Sequence, residues 1–260
     1  MDKLILNYDQ IAHEYNQRYA GSQQWERGQA LLNLTKQLHA QSILEIGSGT
    51  GYWLNLLHQN AANVFGLDYS FGMLKQAQQQ PAPLKLTNGT AVQIPYKDKS
   101  FDLVYVVDAI HHFGDHKAFI MEAFRVLKPG GALAIIGHDP HEGTSKWYIY
   151  DYFEGVYDND LRRYPAGRSL LQWMTSAGFQ NSDSQNAEHI LNIHMDEGVF
   201  HDPFLKQNAS SQLALLSEDV YQAGIEKIRQ AIAEAKSRNV QISFSSDIYV
   251  KMFLGYKPAV

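Results

Sequence analysis

Cysteine is absent from the 260 residues, which excludes disulfides, thiolate metal sites and thiol nucleophiles and leaves the redox compartment open. No run approaches the roughly 18 apolar residues of a membrane span, and the opening MDKLILNYDQ has too short an apolar stretch for a signal peptide. The formal net charge is −5 and no basic block stands out, so the electrostatic footprint of a nucleic-acid binder is lacking. A dinucleotide fingerprint is missing as well. Counted from Gly47, G-x-G-x-x-G/A requires a small residue at position 52, where the chain has Tyr52. The expectation is a soluble, cytoplasmic protein with no membrane or nucleic-acid partner. Nothing fixes its oligomeric state.

What is present is a strand-then-helix rhythm. SILEIG from Ser42, NVFGLD from Asn63, LKLTNG from Leu84, FDLVYVVD from Phe101 and GALAIIGHD from Gly131 are short apolar runs. Between them lie the helix-like patterns YWLNLLHQ, SFGMLKQAQQQ and DHKAFIMEAFRVLKPGG, the last with Phe119, Ala123, Phe124 and Leu127 at helical spacing and Pro129-Gly130 as its stop. This alternation predicts an α/β fold in which buried parallel strands carry helices on both faces. The length suits one domain over residues 1–260, with no internal repeat.

Beyond Asp139 the pattern changes. Residues 141–164 are crowded with Trp147, Tyr148, Tyr150, Tyr152, Phe153, Tyr157 and Tyr164 among acids, as expected of a helical insertion with one apolar face. SLLQWMTSAGF from Ser169 reads as a helix closing at Gly178, followed by a weak strand. The stretch from Ser210 to Asn239 holds one long helix or two, and DIYVKMFLGYK from Asp247 reads as a final strand.

The segment ILEIGSGTGYW, Ile43 to Trp53, runs from a strand into three glycines at alternate positions. Such a turn brings bare backbone N–H groups toward a ligand at a helix N-terminus, which favours negative charge. Glu45 stands two residues before the first glycine, and Asp68 closes the second strand about twenty residues later, where an acid can accept both hydroxyls of a ribose. Asp68 can equally cap the following helix, a task open to Ser70.

The combination E-x-G-x-G-x-G, with Asp68, the stretch NGTAVQIPYKDKSFDLVYVVDAIHHF from Asn88 and FRVLKPGG from Phe124, resembles the class I S-adenosylmethionine (SAM)-dependent methyltransferases. The resemblance covers residues 8–139 and is nearest to the small-molecule branch that includes the ubiquinone and menaquinone enzymes. It implies a Rossmann-like, seven-stranded, mostly parallel sheet with helices on both faces. The aromatic-rich composition adds the expectation of a helical insertion after strand five, which with the Ser210 helix would form a C-terminal helical lid. The implied divisions are an N-terminal helical cover over 1–40, a SAM-binding core over 41–139, and a substrate lid from 141–168 and 190–240.

The implied cofactor is SAM, released as S-adenosylhomocysteine (SAH). In the resemblance Gly47, Ser48, Gly49 and Gly51 pass beside its amino acid portion and Glu45 organises that site. Asp68 binds the ribose, with Tyr69 and Met73 at the adenine. Gly89, Thr90 and Ala91 bracket the adenine, and Val107 and Asp108 meet the cofactor from strand four. Thr90 stands where the family often has an acid, and its hydroxyl can still hydrogen-bond. The leading helix YDQIAHEYNQRY is similar to a family helix that folds over the cofactor, which makes Tyr15 and Tyr19 candidate contacts; packed tyrosines are the alternative.

Methyl transfer from a sulfonium is an in-line displacement, in which the protein positions a nucleophile and excludes water. A base is needed where the acceptor carries a proton. His111, His112 and His138 follow strands four and five, where such folds place catalytic groups; His111 and His112 also fit as N-terminal polar surface or packed histidines, and His138 as a substrate contact. Trp147, Tyr148, Tyr152, His138, Asp139 and His141 are candidate acceptor contacts. Arg162, Arg163 and Arg168 are read either as holders of an acceptor carboxylate or as a solvated face. No metal is expected. The acceptor expected is a small, partly apolar metabolite methylated on oxygen or nitrogen. The alternatives are a non-catalytic SAM-binding module and an RNA or protein methyltransferase.

Overall fold

The computed structural model describes residues 26–59 and 63–259. Tyr15 and Tyr19 lie outside them. The predicted alternation is present as β1 (Ser42–Ile46), α2 (Tyr52–His58), β2 (Asn63–Asp68), α3 (Phe71–Ala77), β3 (Lys85–Asn88), β4 (Phe101–Val107), α4 (His116–Val126) and β5 (Leu127–His138), preceded by α1 (Glu26–Gln37). The helix α4 stops at Val126, so Leu127 opens β5 instead of closing the helical stripe. Its N-terminus is capped by Asp115, which accepts from Ala118 N at 3.0 Å.

Strands β1 to β5 pair in parallel in the order β3-β2-β1-β4-β5. The middle strands read as continuous apolar runs because both faces are covered, and alternate residues feed two cores. Leu44, Ile46, Val104, Val106, Leu133 and Ile135 pack toward α4 and α7 (Gly167–Ser176). Ile43, Leu103, Tyr105, Val107, Ala134 and Ile136 pack toward α1 and α2. The order reverses between β1 and β4, and that switch point opens a crevice at the carboxyl ends of the two strands.

The remaining strands are antiparallel and make the sheet eight-stranded rather than seven-stranded. β8 (Ser243–Tyr256) lies against β5 along Val250–Tyr256 and carries the two-residue β6 (Lys146–Trp147) on the continuation of that edge. β7 (Gln180–Met195) runs beside β8 over its length. The strand expected to be weak is therefore sixteen residues long, and residues 190–195, assigned to a helical insertion by sequence, belong to it. Its apolar content is low because one face is solvated, and the ladder to β8 holds it.

Two further regions contain helices. α5 (Tyr148–Tyr152) and α6 (Val156–Arg163) follow β6; α8 (Ser211–Ala214) and α9 (Glu218–Ser237) precede β8, so the Ser210 stretch holds two helices. They bury a satellite core of their own, with Ile149, Phe153, Val156, Val199, Leu213 and Ile228 within it. Gly224 lets α9 cross Phe153 closely: an added Cβ would stand 2.3 Å from its ring. Phe153 is 1% exposed and stacked on Tyr221, so the ring has little room to retreat. Gly224→Ala is predicted to lower stability by up to about 2 kcal/mol, since overpacking of about 1–3 kcal/mol is set against a helix-propensity gain of about 1 kcal/mol. A urea melt checks this; a raised midpoint would contradict the close packing.

Candidate active site

The loop after β1 is held from within. Gly47, Gly49 and Gly51 have φ of 72°, 52° and 74°, the left-handed region that side chains resist. At Gly47 an added Cβ would come 2.6 Å from Ala109 Cβ, so this glycine also lets the β1 and β4 ends meet. Four of the loop's backbone donors are not aimed outward as expected. Gly47 N and Ser48 N donate to Leu67 O, Gly51 N donates to Ser48 O, and Gly49 N donates to Asp68 Oδ2 at 2.7 Å. What the loop offers a ligand is shape: the space where a Gly49 Cβ would stand has no atom within 4 Å.

Asp68 is the brace of this arrangement. Its Oδ1 accepts from Ser70 N at 2.8 Å, while Ser70 itself caps α3 through Met73 N. A carboxylate has about four lone-pair positions, and these two donors fix the plane in which it lies. Beside it, Asn88 donates to the carbonyls of Asp68 and Tyr69, and Gly89 N donates to Asp68 O. Tyr69 is 81% exposed and Met73 is buried. The structure thus brings Asp68, Tyr69, Gly89, Thr90 and Ala91 to the ends of adjacent strands β2 and β3, next to the glycine loop.

Glu45 sits on the α1/α2 face of the sheet, 1% exposed among apolar residues. Tyr105 donates to it at 3.0 Å. Burial pushes the Glu45 carboxyl well above the usual range, the Tyr105 bond opposes this, and the charge of Asp68 adds to it. Val107 is packed in the core, and Asp108 has φ 50°. Its carboxylate turns to Arg27 of α1, which also pairs with Glu188 of β7. This ion cluster ties three elements beneath the crevice. Sequence reasoning missed it because its members lie 81 and 161 residues apart.

The histidines join a second network at the carboxyl ends of β4 and β5. His111 stacks on Tyr164 with centroids 4.1 Å apart, and its Nε2 lies 3.3 Å from Ser211 Oγ on α8. Gln212 donates to Tyr164 Oη and to Asp160 Oδ2. Tyr150 donates to the same Asp160 oxygen at 2.9 Å and lies 3.3 Å from His138 Nε2. Burial and the charge of Arg163 hold His112 down at about 3, so it stays neutral at physiological pH. Burial also lowers His138, against the opposing charges of Asp139, Asp108 and Glu142.

A cleft of about 500 Å³ opens there, lined by His138, Asp139, Trp147, Tyr148, Tyr150 and Tyr157 among others. Asp139 accepts from His141 N and Gly167 N, so its carboxylate fastens the start of α7 to the end of β5. His141 Nε2 lies 2.9 Å from Tyr164 O. Tyr148 donates to Asp202 within the satellite core, and Tyr152 packs against Phe244 there, outside the cleft lining. Among the described residues no group of three or more ligand side chains gathers as a metal site, and no helix is long and apolar enough to cross a membrane.

A family model described as a methyltransferase domain matches residues 44–135. A demethylmenaquinone methyltransferase of Lactiplantibacillus plantarum is 30% identical over 207 residues, 69% of this chain and 86% of that one. Among solved structures, an Anabaena variabilis protein described as a candidate methyltransferase from an antibiotic biosynthesis pathway superposes with a TM-score of 0.65 at 21% identity, covering 87% of this chain and 95% of that one. Phosphoethanolamine N-methyltransferase 2 of Haemonchus contortus, solved with SAH, gives 0.61 at 18% identity, covering 99% and 61%. Fold, glycine loop and relatives together define the class: the chain belongs to the class I SAM-dependent methyltransferases. Within that class it resembles the ubiquinone and menaquinone methyltransferases, and its cofactor is SAM.

Asp160 supplies a pH test of the second network. Burial raises its carboxyl to about 6 from an ordinary 3.8, opposed by the bonds from Tyr150 and Gln212 and by Arg163. The folded state therefore holds this proton more tightly than the unfolded chain. The resulting stabilisation is complete below about pH 4 and is lost as pH rises through 6. The stability difference between wild type and Asp160→Asn is predicted to fall by on the order of 2 kcal/mol from pH 4 to 6.5. Carboxylates common to both proteins cancel. A flat difference in denaturant melts would contradict the assignment.

Proposed function

We propose that this methyltransferase acts on an oxygen or nitrogen of a small, partly apolar metabolite, by in-line displacement, in the cleft beneath the helical module. The observation that carries the reading is the cleft itself. It is walled by Trp147, Tyr148, Tyr150 and Tyr157 and reaches His138 at the end of β5, two strands from the glycine loop. Aromatic walls with a few placed polar groups suit a partly apolar acceptor.

Bound SAM supplies a sulfonium methyl group and leaves as SAH. On this reading Gly47, Ser48, Gly49 and Gly51 shape the bed for its amino acid portion, with Glu45 beneath. Asp68 accepts from the ribose, and Tyr69, Met73, Gly89, Thr90 and Ala91 border the adenine. Val107 and Asp108 close the crevice from β4. Open space at Gly49 and the oriented Asp68 carboxylate support the fit.

Among the histidines, His138 is the base. Its imidazole is neutral at physiological pH and can take the acceptor's proton, with Tyr150 and Asp160 holding its orientation. His112, at about 3, is too weak a base and serves as a neutral hydrogen-bonding wall. His111 joins the helical module to the end of β4. Residues 141–168 and, beyond the β7 residues 190–195, residues 196–240 are read as the substrate lid, consistent with their shared core.

Trp147→Ala is predicted to raise the acceptor KM roughly tenfold, the worth of one aromatic wall, with the SAM KM within about twofold. SAH release across a metabolite panel provides the assay. Equal effects on both constants would remove the lid, and SAM binding without product from any acceptor would favour the non-catalytic module.

A further inference from the structure

The three arginines around RRYPAGR part company in the fold. Arg162 and Arg168 are exposed, whereas the Arg163 side chain is 6% exposed. It is held at the end of α6 with its guanidinium inside. None of its three nitrogens has a hydrogen-bond partner among the described residues. Asp160 Oδ1 lies 3.5 Å from Nη1, near enough to balance the charge, yet it too lacks a hydrogen bond. The other Asp160 oxygen is taken by Tyr150 and Gln212.

A guanidinium carries five N–H donors in a planar fork, and leaving them unmet in a dry interior is costly. The natural complement of that fork is a pair of coplanar oxygens, a carboxylate, which it engages through two parallel bonds. The location matters as much as the chemistry. The positive charge of Arg163 acts on His112, at the end of β4, and its neighbour Tyr164 stacks on His111. Asp160 one turn back joins the Tyr150–His138 pair that lines the cleft. The guanidinium thus lies within electrostatic reach of His112, over the Tyr164 ring, and behind the cleft wall that Tyr150 forms, charge-balanced by Asp160 but with its N–H donors unmet.

We propose that Arg163 is the carboxylate-recognition residue of the acceptor pocket, so that the methyl acceptor is a carboxylic acid with a partly apolar body, anchored by two bonds from the guanidinium. This rests on the methyl-transfer reading given above and narrows it to one substrate class. Asp160 holds the fork in place, and the aromatic wall takes the apolar body.

The test is a thermal melt of the protein, with and without saturating SAH, in benzoate or phenylacetate against benzamide or phenylacetamide at constant ionic strength. The acids are expected to raise the midpoint by about 2 °C or more above the matched amides. The gain disappears in Arg163→Met and survives in part in Arg163→Lys. The double variant Asp160→Asn/Arg163→Met, which removes both charges together, keeps the comparison valid if the single variant unfolds, and it is expected to keep its SAH affinity within about twofold of wild type. Equal responses to acids and amides in wild type, or an acid response retained in either methionine variant, would overturn the proposal. An acid response that depends on Arg163 in a protein that takes up no SAH would leave the carboxylate site standing and defeat the methyl-transfer reading instead.

Discussion

A single carboxylate, Asp68, fixes the geometry on which the site depends. By accepting from Gly49 N and Ser70 N it ties the crest of the glycine loop to the end of β2 and to the start of α3. Gly47 N and Ser48 N turn inward to Leu67 O and Gly51 N to Ser48 O, so the bend holds its left-handed glycines from within. The consequence is a preorganised concavity: part of the ordering cost of binding is met during folding. A residue with a side chain at 47 would force β1 and β4 apart at the switch point, and one at 49 would fill the space itself.

The second half of the site is a polar lattice that joins the helical module to the strand ends. Tyr150, Asp160, Gln212, Tyr164 and Ser211 connect α5, α6 and α8 to His138 and His111. In a low-dielectric interior such bonds reinforce one another, and each broken member leaves a partner unsatisfied. The module therefore has its own apolar core for stability and a polar face for register over the cleft. Arg27 does similar work, tying α1 to Asp108 at the end of β4 and to Glu188 in the middle of β7. Function and folding share these groups, since the atoms that position the cleft walls also satisfy one another.

Much of the core was legible in sequence. Strands buried on both faces write themselves as apolar runs, and the glycines and Asp68 follow from a backbone that must bend tightly beside a neighbouring strand end. The reading failed where structure comes from pairing across long chain separations. β7 looked weak because its sixteen residues alternate toward solvent, and its partner β8 lies beyond the α9 helix. The inward aim of the loop donors was invisible because Leu67 O becomes their acceptor only once β1 and β2 align. The Tyr105 hydroxyl under Glu45 needs the β1–β4 register, and the burial of Arg163 but not Arg162 depends on which face of a two-turn helix turns inward.

The most direct measurement is calorimetric titration of SAH into wild type and Asp68→Ala. Wild type is expected to take up one equivalent, and the variant to bind more weakly by about 1–3 kcal/mol, the cost of losing hydrogen bonds to a charged acceptor. No uptake by wild type, or equal affinity in the two proteins, would contradict the account.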